Sequence, residues 1–346
     1  MAGPRGRNTN LALLWLLPLA LLTGGLAFLV GSGPVRPVAV AHGVVGLAIL
    51  VLAPWKSAIA RRGLRRRRPH RGTSLALTFL VVLALLSGIA HSSGVLRQAF
   101  GLGALQVHVG AAVLAAVPVL VHIRRRPVRA RRRDLSRRTL LRAGLLAGAA
   151  GGLYAVGEAA AAAVGLPGAR RRSTGSYEVA GDQSAMPVTS WLLDAVPDID
   201  PAAWRLEVRS AGSRRTWSLP DLARLAAPAG EVAAADRLDR VTAVLDCTAG
   251  WWSRQEWSGV RLSRLLPVGA AGSVAVTSAT GYHRRLPLTD DLLLAWAVGG
   301  QPLAPGHGGP VRLVVPGRRG YHWVKWVVRI EHDHRPWWAQ SPFPVQ

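Results

Sequence analysis

The chain has 346 residues, half of them hydrophobic, and it carries a formal net charge of +25. One soluble globule does not combine so large an apolar fraction with so much positive charge, whereas membrane helices joined by basic loops do. The arginines cluster beside apolar runs, so we expect a membrane topology and no nucleic-acid partner. The only cysteine is Cys247, which excludes an internal disulfide.

Four apolar runs without charged residues are each about long enough to cross a bilayer. A cleaved signal peptide is the alternative for the first run, but three more runs follow and no small-residue cleavage site stands out. Basic residues gather before the first run, between the second and third, and after the fourth. The positive-inside rule therefore places the N-terminus and these loops in the cytoplasm. The runs are residues 11–30, 38–55, 74–92 and 104–123.

Residues 134–141 read Asp-Leu-Ser-Arg-Arg-Thr-Leu-Leu and precede a weakly apolar run that reaches about Leu166. This pattern resembles a twin-arginine export signal placed internally; an ordinary basic flank on a fifth helix is the alternative. In both cases the fifth span runs outward, so the C-terminal half is expected outside the cytoplasmic membrane. The alanines at 159–163 offer a candidate cleavage site, but we expect the helix to be retained. Residues 167–176 are predicted to form a linker.

Beyond residue 176 the pattern changes to short strands separated by proline and glycine turns. Strands are predicted at 204–208, 241–245 and 274–278, and a short helix is predicted at 219–225. The second of these strands ends at Cys247, and a turn rich in small and aromatic residues is predicted after it. A lone cysteine at a strand end is often only a buried core residue.

Two motifs change this interpretation of Cys247. The first is Cys-Thr-Ala-Gly-Trp at 247–251 with Trp-Ser-Gly-Val-Arg-Leu at 257–262. The second is His-Gly-Gly-Pro-Val-Arg-Leu-Val-Val-Pro at 307–316 with Gly-Tyr-His-Trp-Val-Lys at 320–325. They resemble the molybdenum-ligand and pterin-binding segments of the sulfite oxidase superfamily, and most closely those of the bacterial methionine sulfoxide reductase catalytic subunits. The resemblance covers about residues 177–335.

The resemblance implies an α+β domain that binds a molybdenum–molybdopterin cofactor and transfers oxygen atoms. Cys247 would be the molybdenum ligand, since thiolates suit soft, redox-active metals, and Tyr282 would be a catalytic residue facing the metal. Cations in the second motif would meet the cofactor phosphate, although a solvated loop with a structural ion pair is the alternative there. Segment 186–191 lies where the family makes its first pterin contacts, but the usual asparagine is missing. The other expected cofactor-binding residues are Ser278, His307, Arg312, Trp323, Val324 and Lys325, with Arg318 and Arg319 as further cations.

Histidines mark the predicted membrane helices. His42, His91 and His108 all lie near the outer ends of their helices, where two imidazoles would suffice as axial ligands of a haem iron. The bundle resembles the cytochrome b561-type membrane domains, which implies haem b as a second cofactor. His122 lies fourteen residues after His108, but an inner haem has no clear partner ligand. Interfacial histidines without a metal are the alternative.

The sequence therefore predicts an all-α membrane bundle of about five helices followed by an α+β sulfite-oxidase-type domain. The domains are residues 1–125, 126–176 and 177–346. The predicted function is a membrane-anchored molybdopterin-dependent oxidoreductase that acts on a small molecule, by sulfoxide reduction or sulfite-type oxidation. Its electrons are exchanged with the quinone pool or a redox partner protein, in a multi-pass inner-membrane location with the catalytic domain outside. The alternatives are a b-type cytochrome with a non-catalytic docking domain, and an anchored enzyme without haem.

Overall fold

The computed structural model divides the chain into two compact units, Met1–Tyr177 and Glu178–Gln346. The boundary between the two units falls within the short strand β3, Tyr177–Glu178. The residues that the structure describes are 4–30, 35–65, 71–99, 101–125, 127–128, 130–131, 134, 136–190, 194–210, 212–226, 238–266 and 273–342.

Long apolar helices make up the first unit. In the described ranges, five helices have the length and composition needed to cross a membrane, which is compatible with a membrane protein. Helix α1 packs against α2, α3 packs against α4, and α5 packs against α2. A small hairpin, β1 (Gln98–Ala99) and β2 (Leu102–Gly103), joins α3 to α4. The helices are α1 (Pro4–Leu29), α2 (Val35–Arg65), α3 (Arg71–Ser93), α4 (Ala104–Arg125) and α5 (Arg137–Ala163).

The start of α5 is fixed by polar contacts. The hydroxyl of Ser136 accepts a hydrogen bond from the backbone N–H of Thr139, which caps the helix. Asp134 forms an ion pair with Arg7 of α1, at 2.7 Å. The twin-arginine-like residues therefore begin a capped helix, and Arg137 is the first residue of that helix.

The segment predicted to be a linker is held against the end of α3. The hydroxyl of Tyr177 donates a hydrogen bond to the carbonyl of His91. Gly94 has a φ of +74°, and a Cβ there would lie 2.8 Å from Pro167 and 2.9 Å from the backbone nitrogen of Gly168. Glycine is therefore required for this close approach. Residues 167–177 belong to the packed structure of the first unit.

The described part of the second unit consists of two mostly antiparallel sheets and one α-helix, α6 (Leu219–Ala226). In the first sheet β10 pairs with β7, β11 and β12, and β7 pairs with β6. In the second sheet the order is β5-β4-β13-β8-β9, where only the β4–β13 pair is parallel. The first-sheet strands are β6 (Asp239–Asp246), β7 (Trp251–Arg261), β10 (Leu293–Val298), β11 (Gln301–Pro302) and β12 (Arg312–Val314). The second-sheet strands are β4 (Leu206–Ser210), β5 (Ser213–Trp217), β8 (Ser273–Ser278), β9 (His283–Leu286) and β13 (Val327–Asp333).

The turn predicted after Cys247 is present and is four residues long, and it leads into a strand that the sequence analysis did not predict. The backbone N–H of Gly250 donates to the carbonyl of Cys247 at 3.1 Å, and Gly250 has a φ of +92°. Trp251 then begins an 11-residue strand with an alternating burial pattern. Ser253, Gln255 and Trp257 are buried, whereas Arg254 and Glu256 between them are exposed, an alternation that also indicates a strand.

The core of the second unit lies along the inner faces of these strands. Trp257, Leu294 and Val276 are all fully buried. Gly259 lets β7 approach β10 closely, because a Cβ there would lie 1.9 Å from the carbonyl oxygen of Leu294. The tight β6–β7 hairpin consequently holds Cys247 at the end of the first sheet.

Candidate active site

Cys247 is the first residue after β6 and is partly buried. Its Sγ lies 3.4 Å from the hydroxyl of Thr189 and 3.5 Å from the backbone nitrogen of Ala249. The thiol is held at the end of β6 by the tight turn that follows the strand and by the irregular segment that contains Thr189. The sulfur is thus placed among polar groups, unlike that of a cysteine in an apolar core.

Arg312 is a buried cation that has no acidic partner among the residues that the structure describes. It is 2% exposed, and its guanidinium carbon lies 5.1 Å from the ring centre of Trp257 and 5.5 Å from that of Trp323. One of its terminal nitrogens donates to the carbonyl of His307 at 2.9 Å. Within the part of the chain that the structure describes, its Nε has no hydrogen-bond partner and no carboxylate pairs with it. An isolated buried charge costs several kcal/mol, so this position favours an anionic ligand.

Lys325 adds a second positive charge near Arg312. Its Nζ donates to the carbonyls of Thr189 at 2.8 Å and Gly306 at 2.6 Å. Burial, followed by repulsion from Arg312, lowers the pKa of Lys325 to about 7, while burial lowers the pKa of Arg312 to about 10. Carbonyl dipoles hold both cations, and an anion would restore their pKa values.

A glycine and a histidine complete this cationic cluster. Gly308 has a φ of +104°, and a Cβ there would lie 3.0 Å from the side chains of both Arg312 and Lys325. His307 is buried, and its pKa is lowered by burial and then by Arg312 and Lys325. The neutral imidazole is therefore favoured next to the two cations. The structure brings His307, Arg312 and Lys325 together, as the resemblance implied.

The two other arginines predicted to meet a phosphate occupy different positions. Arg319 is 1% exposed and forms a buried ion pair with Asp246, the residue just before Cys247. The guanidinium of Arg318 lies over the ring of Trp337, with 4.5 Å between its central carbon and the ring centre. Since the charge of Arg319 is already matched by Asp246, this arginine fixes the strand end that carries the thiol.

Tyr282 lies on the loop between β8 and β9, and Ser278 is the last residue of β8. Tyr282 is 7% exposed, its hydroxyl donates to the carbonyl of Tyr321, and burial raises its pKa. The Ser278 hydroxyl lies 3.1 Å from that of Thr280, which donates to Asp194 at 3.1 Å. The resemblance implied that Tyr282 faces the metal; its hydroxyl joins the loop to the segment of the second motif. Trp323 and Val324 of that motif are buried in the core.

Sequence reasoning did not assign roles to Arg284 and His322, two further buried basic residues. Arg284 is 3% exposed and lies over the ring of Tyr321, with its Cζ 5.2 Å from the ring centre. His322 is 5% exposed, and its Nδ1 has no hydrogen-bond partner among the described residues. The pKa of His322 is lowered to about 3, first by burial and then by Arg284 and Arg318. An arginine at an inward-facing strand position was the sequence signal for Arg284.

His322 makes the stability of the second unit depend on pH. In the unfolded chain a histidine binds a proton below about pH 6.5, but in the folded unit His322 binds one only near pH 3. Protons therefore favour unfolding between these values, and the free energy of unfolding should fall by about 1 kcal/mol between pH 7.5 and pH 5.5. Thermal unfolding of His322→Phe should show a weaker pH dependence. Exposed His334→Phe is the matched control; a variant slope equal to the wild-type slope would contradict the assignment.

In the first unit, His42 and His108 face each other across the helices. Their ring centres are 5.7 Å apart. Nδ1 of His42 lies 3.1 Å from the carbonyl oxygen of Ala20, and Nδ1 of His108 lies 2.7 Å from that of Ala84. A carbonyl only accepts hydrogen bonds, so each Nδ1 carries the proton and each Nε2 keeps its lone pair.

Space next to this pair is provided by glycines from the neighbouring helices. A Cβ at Gly24 would lie 2.9 Å from the ring of His42, and one at Gly88 would lie 2.8 Å from the ring of His108. His91 was expected to join the same set, but its Nε2 lies 2.8 Å from the carbonyl oxygen of Gly175. This contact of His91 holds residues 167–177 and occupies the nitrogen that in His42 and His108 has no carbonyl contact within the described chain.

Part of the second unit is similar to known proteins. Residues 193–340 match the family model of the oxidoreductase molybdopterin binding domain. The matched residues include both the Cys247 turn and the cationic cluster.

Proteins similar to this part of the chain include sulfite oxidases and nitrate reductases. Mitochondrial sulfite oxidase of Homo sapiens is 33% identical over 165 residues, covering 39% of this chain and 30% of that protein. NAD(P)H nitrate reductase of Hordeum vulgare is 31% identical over 166 residues, covering 39% of this chain and 19% of that protein. The chain thus spans less than a third of either relative. The sulfane dehydrogenase SoxCD of Paracoccus pantotrophus, a solved structure, is 24% identical over 40% of each chain, with a TM-score of 0.35.

Proposed function

We propose that the protein is a membrane-anchored molybdenum enzyme that transfers oxygen atoms at Cys247. One observation carries this proposal: the Cys247 thiol, which contacts polar groups, shares its site with partly buried Lys325 and with buried Arg312, which pairs with no carboxylate of the described residues. A cofactor that offers a metal for the thiolate and a phosphate for the cations fits both features. The family match over residues 193–340 supports the same cofactor.

The residues of the site have separate tasks in this proposal. Cys247 binds molybdenum, and Arg312 and Lys325, with His307 beside them, hold the cofactor phosphate. The cofactor supplies two-electron chemistry coupled to oxygen-atom transfer. The Asp246–Arg319 ion pair fixes the end of β6, so the thiol is held in place before the cofactor arrives.

The basic residues around Tyr321 support an anionic substrate. Arg284 and His322 are buried next to this tyrosine, and Arg318 is near enough to lower the pKa of His322. The segment that contains Arg318 and His322 approaches the residue that carries the thiol, because a Cβ at Gly320 would lie 3.2 Å from the Cα of Cys247. A sulfite-type oxyanion would gain from the positive charges of Arg284 and Arg318, whereas a neutral sulfoxide would not. Sulfite-type oxidation is therefore the first substrate class to test, and sulfoxide reduction is the second.

The five apolar helices support membrane anchoring, and His42 and His108 support a haem b between them. Their Nδ1–H groups are fixed by carbonyls, which leaves both Nε2 lone pairs for axial ligation. A haem would connect the enzyme to the quinone pool or to a redox partner protein. The arginine-rich ends of the helices support a location in the cytoplasmic membrane with the catalytic unit outside.

Purified protein should contain about one molybdenum per chain and show a b-type band in its reduced-minus-oxidised spectrum. The band should disappear in His42→Leu and in His108→Leu, and it should persist in His91→Leu, the matched control. Oxygen-atom transfer should be found in a screen of sulfite, sulfoxides and N-oxides. Iron without molybdenum would instead indicate a cytochrome with a non-catalytic docking domain. Molybdenum without a b-type band would indicate an anchored enzyme whose electrons come from a partner.

A further inference from the structure

Thr189 places its hydroxyl within hydrogen-bonding distance of the Cys247 thiol. It comes from an irregular segment 58 positions earlier in the chain, and its Oγ1 is 3.4 Å from Sγ. The segment is held in place, since the carbonyl of Thr189 accepts a hydrogen bond from Lys325 at 2.8 Å. Val188 packs against Gly306, where a Cβ would lie 2.8 Å from its side chain. The hydrogen bond from Lys325 and the packing of Val188 against Gly306 therefore fix the position of Thr189.

The direction of the hydrogen bond follows from the partners of this hydroxyl. The indole N–H of Trp251 lies 3.3 Å from Oγ1 and can only donate, so the oxygen accepts from Trp251. The one hydroxyl proton is left for either Sγ or the carbonyl of Pro187 at 3.3 Å. A thiolate is an ionised acceptor and binds a proton donor more strongly than a neutral carbonyl does. When Cys247 is a thiolate, Thr189 therefore donates to the sulfur.

We propose that Thr189 is a positioning residue that donates a hydrogen bond to the Cys247 thiolate and thereby raises the reduction potential of the bound metal. This inference rests on the proposed function, because it requires molybdenum on Cys247. A hydrogen bond to a ligand sulfur withdraws electron density from it, so the sulfur donates less to the metal and the reduced state is favoured. Trp251 strengthens the effect, since a hydroxyl that accepts one hydrogen bond donates a better one.

The test compares three variants of the full-length, molybdenum-loaded protein. Thr189→Val keeps the shape of the side chain but removes the hydroxyl, Thr189→Ser keeps the hydroxyl, and Thr216→Val makes the same change on an exposed strand. The readouts are the molybdenum midpoint potential from redox titration and the Mo(V) electron paramagnetic resonance spectrum. Thr189→Val should lower the potential and shift the g-values. Thr189→Ser should restore both, and Thr216→Val should leave both unchanged.

Each outcome decides a different question. Equal potentials and spectra in wild-type protein and Thr189→Val, both with full molybdenum, would overturn the role of Thr189 and leave the proposed function intact. Wild-type protein without molybdenum would overturn the proposed function itself. If Thr189→Val does not load the metal, Trp251→Phe decides the matter, because loss of the indole donor should lower the potential in the same direction. An unchanged potential in Trp251→Phe would then refute the inference.

Discussion

Replacing Cys247 with serine should reduce oxygen-atom transfer to background while leaving the second unit folded. A hydroxyl is a harder ligand and is protonated at neutral pH, so it replaces a thiolate poorly on a soft metal. The side chain is only partly buried, so the free energy of unfolding should change by no more than about 1 kcal/mol. Molybdenum per chain, turnover and thermal unfolding of the purified variant measure these effects.

The neighbouring Thr248→Ser is the matched control for Cys247→Ser, since it also makes a small change in the same turn. It should keep both its molybdenum and its turnover. Undiminished turnover in Cys247→Ser would show that the sulfur is not the ligand. A variant that unfolds would instead show that Cys247 stabilises the turn between β6 and β7.

Replacing each of the two buried arginines, Arg319 and Arg312, with methionine should affect the stability of the cofactor-free protein differently. Arg319→Met leaves Asp246 as an uncompensated buried carboxylate, so the free energy of unfolding should fall by about 3–5 kcal/mol. Arg312→Met removes a buried cation that has no carboxylate partner in the described chain, so the variant should unfold at the same temperature as wild type or higher. Thermal unfolding of the two variants, prepared without the cofactor, makes the comparison.

In the presence of the cofactor, Arg312→Met should be unfavourable. Loss of one charge-assisted hydrogen bond to a phosphate should weaken cofactor binding about 10- to 100-fold, which molybdenum content after equilibrium dialysis would measure. Arg312→Lys, which keeps the charge, should recover part of the affinity. Full cofactor retention in Arg312→Met, or a marked loss of stability in the cofactor-free variant, would contradict the assignment of Arg312 as a phosphate contact.

Much of the fold follows from local sequence patterns. The apolar run before Cys247 predicted a strand at 241–245, and β6 covers Asp239–Asp246. The helix predicted at 219–225 is Leu219–Ala226. Hydrophobic periodicity and length determine such elements because each depends on neighbouring residues. The same reasoning did not predict β7, which begins at Trp251 directly after the predicted turn.

The pairing of charges could not be predicted in the same way. Arg312 and Arg319 are the same type of residue and lie close together in the sequence. Only Arg319 forms an ion pair with a carboxylate among the described residues. That partner, Asp246, is 73 positions away and reaches it through the sheet. The histidines show the same limit, because His91 shares its depth with His42 and His108 but bonds to residue 175. Such contacts depend on tertiary structure, which spacing along one helix does not specify.

Residues 167–177 are hydrogen-bonded to α3, and these contacts would determine what cleavage by a signal peptidase produces. The alanines at 159–163, near the end of α5, offer a candidate cleavage site. A cut there would leave the downstream chain bound through the hydroxyl of Tyr177, the carbonyl of Gly175 and the turn at Gly168. Proteolysis would thus produce a nicked protein whose fragments stay associated, and denaturing electrophoresis would show two bands from one chromatographic peak.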